Sequence, residues 1–146
     1  SANPSADVNT LDNYEEGTWT VQVSGASGNA TMHGSYKHGE YVKIGAVVHC
    51  TGYFTIDGTN SCGDTIKVDN LPFTNGGQIG NHNAQPVAGL GGLNITAGHS
   101  IIGNIDTGTT SLFFRVNDDA GGSSAMSEAE LSDDATMSFS CSYITV

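Results

Sequence analysis

The sequence predicts an all-β fold: a two-sheet antiparallel β-sandwich, jelly-roll-like, preceded by an extended N-terminal arm. Three observations support this prediction. Glycine supplies 20 of the 146 residues, which favours frequent turns and disfavours long helices. Only 13% of the residues are charged, so Ser, Thr, Asn and Gly must form much of the surface. Apolar residues recur at every second position in several segments, which is the period of a half-buried strand.

The chain length fits one domain with its own hydrophobic core. Residues 1–16 lack strand periodicity and carry an Asn-Pro step and several carboxylates, so we expect an extended arm there. Residues 17–146 are expected to form the sandwich domain. Its first strand is predicted to begin at Thr18, where apolar and polar residues start to alternate.

The most regular alternation runs from Tyr41 to Ile56 and predicts one long strand that bends at Gly45 or Gly52. Gly39 is expected to form the turn into this strand from a shorter one before it. Roughly eight strands with unevenly spaced turns indicate a sandwich rather than a β-helix or propeller, whose repeats have a fixed period. The other predicted elements are strands at 32–37, 65–68, 93–96, 100–105, 111–116 and 136–144, and one short helical turn at 127–131.

Aromatic side chains have two expected locations. Most should pack between the sheets, where their large apolar area is removed from water. Exposed tyrosines could instead stack on sugar rings. The expected core set is Trp19, Phe54, Phe73, Phe139 and either Phe113 or Phe114. The tyrosines whose exposure the sequence leaves open are Tyr36, Tyr41, Tyr53 and Tyr143.

The charge balance argues against two classes of partner. Lys and Arg supply 4 residues and Asp and Glu supply 15, giving a formal net charge of −11. Nucleic-acid binding depends on basic side chains that neutralise phosphates, so we expect none. Anionic membranes are disfavoured for the same reason, and no apolar run is long enough to predict membrane insertion. Cations, neutral sugars and basic protein surfaces remain as partners.

Three cysteines occur, Cys50, Cys62 and Cys141. Their odd number precludes complete internal pairing, and their spacing matches no zinc-binding pattern. Cys50 and Cys141 each fall on the apolar phase of a predicted strand. The residues leave two interpretations open: buried free thiols, or a bridge between the two strands.

No catalytic site is predicted. Glu15 and Glu16 are adjacent, so in an extended chain they point to opposite sides and cannot flank one glycosidic bond. The sequence reveals no pair of carboxylates that would face each other across a groove, no Gly-x-Ser-x-Gly elbow and no phosphate loop. We therefore expect neither an enzyme nor a cofactor. A Ca²⁺ ion is the one bound metal left open, at the acidic pairs 118–119 and 133–134, although neither has EF-hand spacing.

Three phrases occur in order along the first half of the chain: Tyr-Glu-Glu-Gly-Thr-Trp at 14–19, Tyr-x-Lys-Ile-Gly-x-x-Val at 41–48 and Leu-Pro-Phe at 71–73. Together they resemble the terminal β-domain of tail fibres and tailspikes of tailed bacteriophages, which also occurs in capsid decoration proteins. The resemblance extends from about Asn9 to Phe73. The family commonly continues from Trp-Thr into Pro, whereas this chain has Val21.

The resemblance implies a virion structural protein, usually a homotrimer, whose N-terminal portion attaches to the particle. We expect a tail fibre or tailspike domain that takes part in binding the host surface. The alternative is a head decoration or cement protein that stabilises the capsid by bridging capsomers. The expected partners are further copies of the chain, other virion proteins and a host-surface glycan. Because the module usually follows a longer segment, we expect a piece or processed product of a longer protein.

These expectations assign two sets of residues. The interface set includes part of the arm and the start of the first strand, and the second set lies in two loops, 75–85 and 117–125. The interface residues are Leu11, Tyr14, Glu15, Glu16 and Trp19. The candidate binding residues are Asn75, Gln78, Asn81, His82, Asn83, Asn117, Asp118 and Asp119.

Overall fold

The chain forms two antiparallel β-sheets packed face to face, so the predicted all-β sandwich is confirmed. The computed structural model describes residues 13–77, 83–118 and 120–145. The candidate residues Leu11, Gln78, Asn81, His82 and Asp119 lie outside this part of the chain. Within it, helix is limited to one 3₁₀ turn at Glu128–Glu130, inside the predicted segment. No helix of the described residues has the length and apolarity to span a membrane.

Sheet A contains five strands in the spatial order β1, β4, β5, β12, β8, and sheet B has the order β3, β2, β6, β10, β9, β7, with β11 paired to β10. The sheet A strands are β1 Tyr14–Thr20, β4 Thr31–Ile44, β5 Val47–Gly58, β8 Val87–Leu93 and β12 Leu131–Ile144. The sheet B strands are β2 Gln22–Gly25, β3 Gly28–Asn29, β6 Lys67–Asp69, β7 Asn83–Gln85, β9 Ser100–Ile105, β10 Leu112–Asp118 and β11 Gly122–Ala125.

The hydrophobic core lies between the two sheets. Phe54 of sheet A and Phe114 of sheet B are buried, and their ring centroids lie 6.1 Å apart. Phe139 is also buried, whereas Trp19 and Phe73 are partly buried against the core. The expected core aromatics are thereby confirmed, with Phe114 chosen over its neighbour Phe113.

Strands β4 and β5 form a tight hairpin, which corrects the predicted single strand from Tyr41 to Ile56. Ile44 pairs with Val47 across a two-residue loop, and Gly45 in that loop has a φ of +58°, which glycine adopts without strain. Paired residues share a face of the sheet. The side chains that point inward are therefore at odd-numbered positions in β4 and at even-numbered positions in β5. Val42 and Ile44 are apolar although they lie on the outer side of β4. They continue the even-numbered apolar positions of β5, so the sequence predicted one strand.

Two other boundaries differ from the prediction. Strand β1 begins at Tyr14 and pairs with β4 from its first residue, so residues 14–16 belong to sheet A and not to an arm. Gly39 does not form a turn. It lies inside β4, where the Trp19 ring occupies the space that a Cβ would take.

Strand β8 occupies Val87–Leu93, which corrects the strand predicted at 93–96. The glycines at 89, 91 and 92 suggested a turn, but they lie within the strand, where β12 shows register shifts. A Cβ on Gly92 would lie 2.6 Å from the backbone of Ala135. Glycine therefore permits a close approach at a bulge here instead of ending the strand.

Cys50 and Cys141 form a disulfide, with Cα atoms 5.2 Å apart. They are directly opposite one another on β5 and β12, on the buried side of sheet A. Of the two interpretations that the residues left open, the bridge between strands is correct. Cys62 is a buried free thiol, and its burial raises the pKa of that thiol.

Candidate functional site

The three phrases of the first half meet in one cluster at the β1 edge of sheet A. Gly17 pairs with Tyr41, whose ring covers the place where a Cβ would project. The Tyr41 hydroxyl donates a hydrogen bond of 2.9 Å to the Glu15 carboxylate, which raises the pKa of that hydroxyl. Phe73 meets the Tyr41 ring edge to face, with 5.4 Å between centroids, and the Lys43 ammonium lies 5.6 Å from the Phe73 centroid.

Beside this cluster, two aromatic rings cover two glycines that pair with each other across β4 and β5. Trp19 lies against Gly39, and Phe139 lies against Gly52. The four residues form one row across β1, β4, β5 and β12. The two rings meet edge to face at 6.0 Å. This row, which includes Trp19 of the first phrase, therefore helps to close the edge of sheet A over the core.

The interface residues predicted in β1 divide between the two faces of sheet A. Glu15 pairs with Lys43, and Trp19 with Gly39, on the inner side. Tyr14 and Glu16 pair with Ile44 and Val42 on the outer side. The Tyr14 hydroxyl donates to the Glu16 carboxylate, and this hydrogen bond raises the pKa of Tyr14. The alternation correctly predicted that Glu15 and Glu16 point to opposite sides.

An exposed apolar row crosses the outer face of sheet A at the hairpin end. It consists of Tyr14, Ile44, Val47 and Ile144, each paired with the next across β1, β4, β5 and β12. Between 42% and 50% of each residue is exposed. Exposed apolar side chains in a contiguous group mark a surface for contact with another molecule. We call these four residues the apolar row.

Next to the apolar row, three neighbouring depressions cross the outer face of sheet A. The first has a volume of about 370 Å³, the second about 420 Å³ and the third about 330 Å³. The first two share Thr18, Glu40 and Thr51, and the last two share Ser138. Because they share these residues the depressions adjoin one another, and we call the three together the trough. Its lining residues on the outer side are Glu16, Thr18, His38, Glu40, Val42, His49, Thr51, Tyr53, Pro86, Ala88, Ser138 and Ser140.

An aromatic cluster adjoins the middle of the trough. The Tyr36 and His33 rings stack with 4.5 Å between centroids and 19° between planes. Tyr36 also meets Tyr53, which lines the trough, edge to face at 6.0 Å. Tyr36 is 47% exposed. The bulge at 33–36 in β4 creates this cluster, because the register with β5 shifts between Met32 and Lys37.

The structure decides which tyrosines are available at the surface. Tyr36 is exposed and Tyr53 is half-buried, whereas Tyr41 belongs to the motif cluster. Tyr143 is 2% exposed, and burial raises its pKa to about 12. Sequence reasoning missed the trough because its lining residues come from five separate strands. Only the register, which the sequence did not reveal, brings them together.

Asn75 is buried and does not present its side chain to a ligand, contrary to the prediction. Its amide donates to the carbonyl of Ile105, and its side-chain oxygen accepts from the backbone N–H of Gly77. Only the backbone position of Asn83, in β7, is described. Asn117 and Asp118 end β10 next to the exposed β11, and the Asp118 carboxylate lies 3.9 Å from His99.

The carboxylates considered as catalytic or metal-binding groups differ in their surroundings. Glu16 and Glu40 line one depression, which corrects the expectation that no two carboxylates share a groove. In the acidic pair at 133–134, Asp133 accepts from the backbone of Thr59, and Asp134 accepts from Ser132. Among the described residues, no group of three or more His, Cys, Asp or Glu side chains is arranged to hold a metal ion.

Comparison with known proteins supports the fold. No family profile matches the chain, and no curated protein matches its sequence. Among solved structures, the Dettilon tailspike protein (gp208) superposes with a TM-score of 0.73 at 12% sequence identity. The match covers 90% of this chain and 23% of the tailspike chain. At this identity the likeness shows the fold: this chain has the architecture of one part of a phage tailspike.

Proposed function

We propose that this chain is a structural domain of a tailed-phage virion, built into a homotrimeric tail fibre or tailspike that faces the host surface. One observation carries the proposal: the three phrases that resemble the phage module form a single cluster of contacts around Tyr41. The three phrases therefore belong to one structural unit of this chain. The likeness to a tailspike, found without reference to those phrases, supports the same class.

The apolar row supports assembly into a trimer. A net charge of −11 makes copies of the chain repel one another. The four residues of the row carry no ionised side chain and reach the edge strand β1, and the adjacent Glu16 carboxylate accepts a hydrogen bond from the Tyr14 hydroxyl. Removing these four side chains from water would favour association.

The proposed role is non-catalytic and needs no cofactor. The cluster residues Glu15, Gly17, Tyr41 and Phe73 use their polar and aromatic groups on one another, so the phrases support structure and not chemistry. The proposed partners are further copies, neighbouring virion proteins and a glycan on the host. Nucleic acid is not among them, since only 4 residues are basic.

The test is to locate the chain on intact virions by cryo-electron microscopy at side-chain resolution. Threefold density at a tail fibre or tailspike, with β1 and the apolar row at the contact between copies, would support the proposal. Density over the capsid at local threefold axes would overturn it in favour of a decoration protein. Absence of the chain from every particle would overturn both assignments.

A further inference from the structure

We propose that the trough on the outer face of sheet A binds a neutral polysaccharide chain, with Tyr36 as the platform on which a sugar ring stacks. This inference rests on the proposed function, because it names the ligand class and the surface of a domain that faces the host. It moves the binding site from the predicted loops to the face of a sheet.

The shape of the trough fits a chain-like ligand. It extends from β1 to β8 across five strands, and at about 4.8 Å per strand interval its length is about 19 Å. Its three depressions are open to solvent and do not enclose a cavity, as an extended polymer requires. A small molecule would need a deeper cavity that encloses most of its surface.

The lining chemistry fits a sugar. Hydroxyl groups of Thr18, Thr51, Ser138 and Ser140 lie along the trough, where they can both donate and accept hydrogen bonds. His38 and Glu40 add further polar groups. The C–H face of a pyranose ring is apolar, so it requires a flat apolar surface in addition to these partners.

Tyr36 provides that surface. His33 stacks on its ring and Tyr53 supports it edge to face, so its conformation is held before any ligand arrives, which lowers the entropy cost of binding. With 47% of the residue still exposed, Tyr36 has apolar area left to contact a sugar ring.

The charges on this face select against anionic glycans. Lys37 and Lys43 pair with buried Phe54 and Val48 and so belong to the inner side, while Lys67 and Arg115 lie in sheet B. All 4 basic residues of the chain are thereby placed away from the trough. Glu16 and Glu40, in contrast, line it. Uronate, sialate or phosphate groups would meet carboxylates without a compensating cation.

The test uses the purified chain on an array of neutral and acidic bacterial surface polysaccharides, with affinities measured for those bound. We expect binding to neutral chains only. Replacing the platform, Tyr36→Ala, should weaken that binding about tenfold or more, the equivalent of about 1.4 kcal/mol. Phe113→Ala is the matched control, since Phe113 is a half-buried aromatic on sheet B with Lys67 over its ring, and it should change affinity less than about twofold.

A second variant tests the selectivity. Glu16→Gln combined with Glu40→Gln should shift the ratio of affinities toward acidic polysaccharides. The proposal is overturned if the chain binds no neutral polysaccharide, if it binds acidic chains equally well, or if Tyr36→Ala and Phe113→Ala behave alike while both remain folded by circular dichroism. A virion location at the tail together with any of these results would leave the proposed function standing and remove only the trough.

Discussion

The two faces of sheet A are built from alternate residues of the same strands, yet they differ in what their side chains contact. On the inner face, Trp19 covers Gly39, Phe139 covers Gly52, and Cys50 is bonded to Cys141. On the outer face, the apolar row and the trough leave apolar and hydroxyl groups exposed. The difference shows that alternate residues of the same strands can close a core on one face and leave apolar and hydroxyl groups exposed on the other.

The largest effect should follow removal of the disulfide from the inner face. The bridge joins residues separated by 91 positions, so it restricts the unfolded chain strongly and should contribute about 4 kcal/mol to the free energy of unfolding. Cys50→Ala with Cys141→Ala is the test, measured by guanidinium unfolding. Cys62→Ala removes a buried thiol without a bridge and should cost about 1 kcal/mol. A double variant that loses no more than twice the control value would contradict the prediction.

The next effect concerns the glycines of β4. A Cβ on Gly39 would lie 2.3 Å from the carbonyl oxygen of Thr51 and 2.4 Å from Trp19 Nε1, so Gly39→Ala should destabilise the fold by about 2 to 3 kcal/mol through overpacking. Gly34, in the bulge of the same strand, has no atom within 4 Å of that position. Thermal unfolding should place Gly34→Ala near the unmodified chain and Gly39→Ala well below it. Equal melting temperatures would mean that the inner face tolerates the extra carbon.

A smaller effect on stability is expected at Asp69, a carboxyl on the outer face of sheet B. Burial alone would raise the pKa of Asp69, but hydrogen bonds from Ser111 and Ser24 and the nearby Lys67 outweigh it, so the net pKa is lowered. A carboxyl with a lowered folded-state pKa stabilises the fold at pH values above its unfolded-state pKa. This contribution is lost as the pH falls through its folded-state pKa.

Asp69→Asn should therefore cost about 1 kcal/mol at neutral pH, since water still reaches 26% of the Asp69 side chain. It should also flatten the loss of stability below the unfolded-state pKa of about 3.9. Ser111→Ala removes one of the donors and should give an intermediate acid slope. If urea unfolding between neutral and acid pH gives the same slope for all three proteins, Asp69 is not the group that titrates.

Much of the fold could be predicted from local pattern, because strand alternation and turn residues act over a few positions. Strand 100–105 and the 3₁₀ turn were predicted close to their positions in the structure. The hairpin at Gly45 was not, because the exposed residues Ile44 and Val47 are of types that are usually buried. A sequence pattern records which residues are hydrophobic, and at Ile44 and Val47 hydrophobic residues are exposed.

The candidate site was predicted less well than the fold, for a related reason. Glu15 and Glu16 were correctly placed on opposite sides, since that depends on one strand alone. The trough depends on the register of β1, β4, β5, β12 and β8, so no single segment could reveal it. Asn75 was assigned to a binding loop because Asn is common at turns, whereas its side chain satisfies buried backbone groups.

The smallest effect on stability, with a separate effect on assembly, is expected in the apolar row. Ile44→Thr with Val47→Thr changes exposed strand residues, so the free energy of unfolding should change by less than about 0.5 kcal/mol. The same change adds two hydroxyls to the proposed contact between copies, so it should shift the proposed trimers toward monomers in sedimentation velocity. Leu90→Thr, at a 58% exposed residue of β8, is the control. If neither variant shifts the distribution, the apolar row does not hold copies of the chain together, and the proposed contact through β1 is wrong.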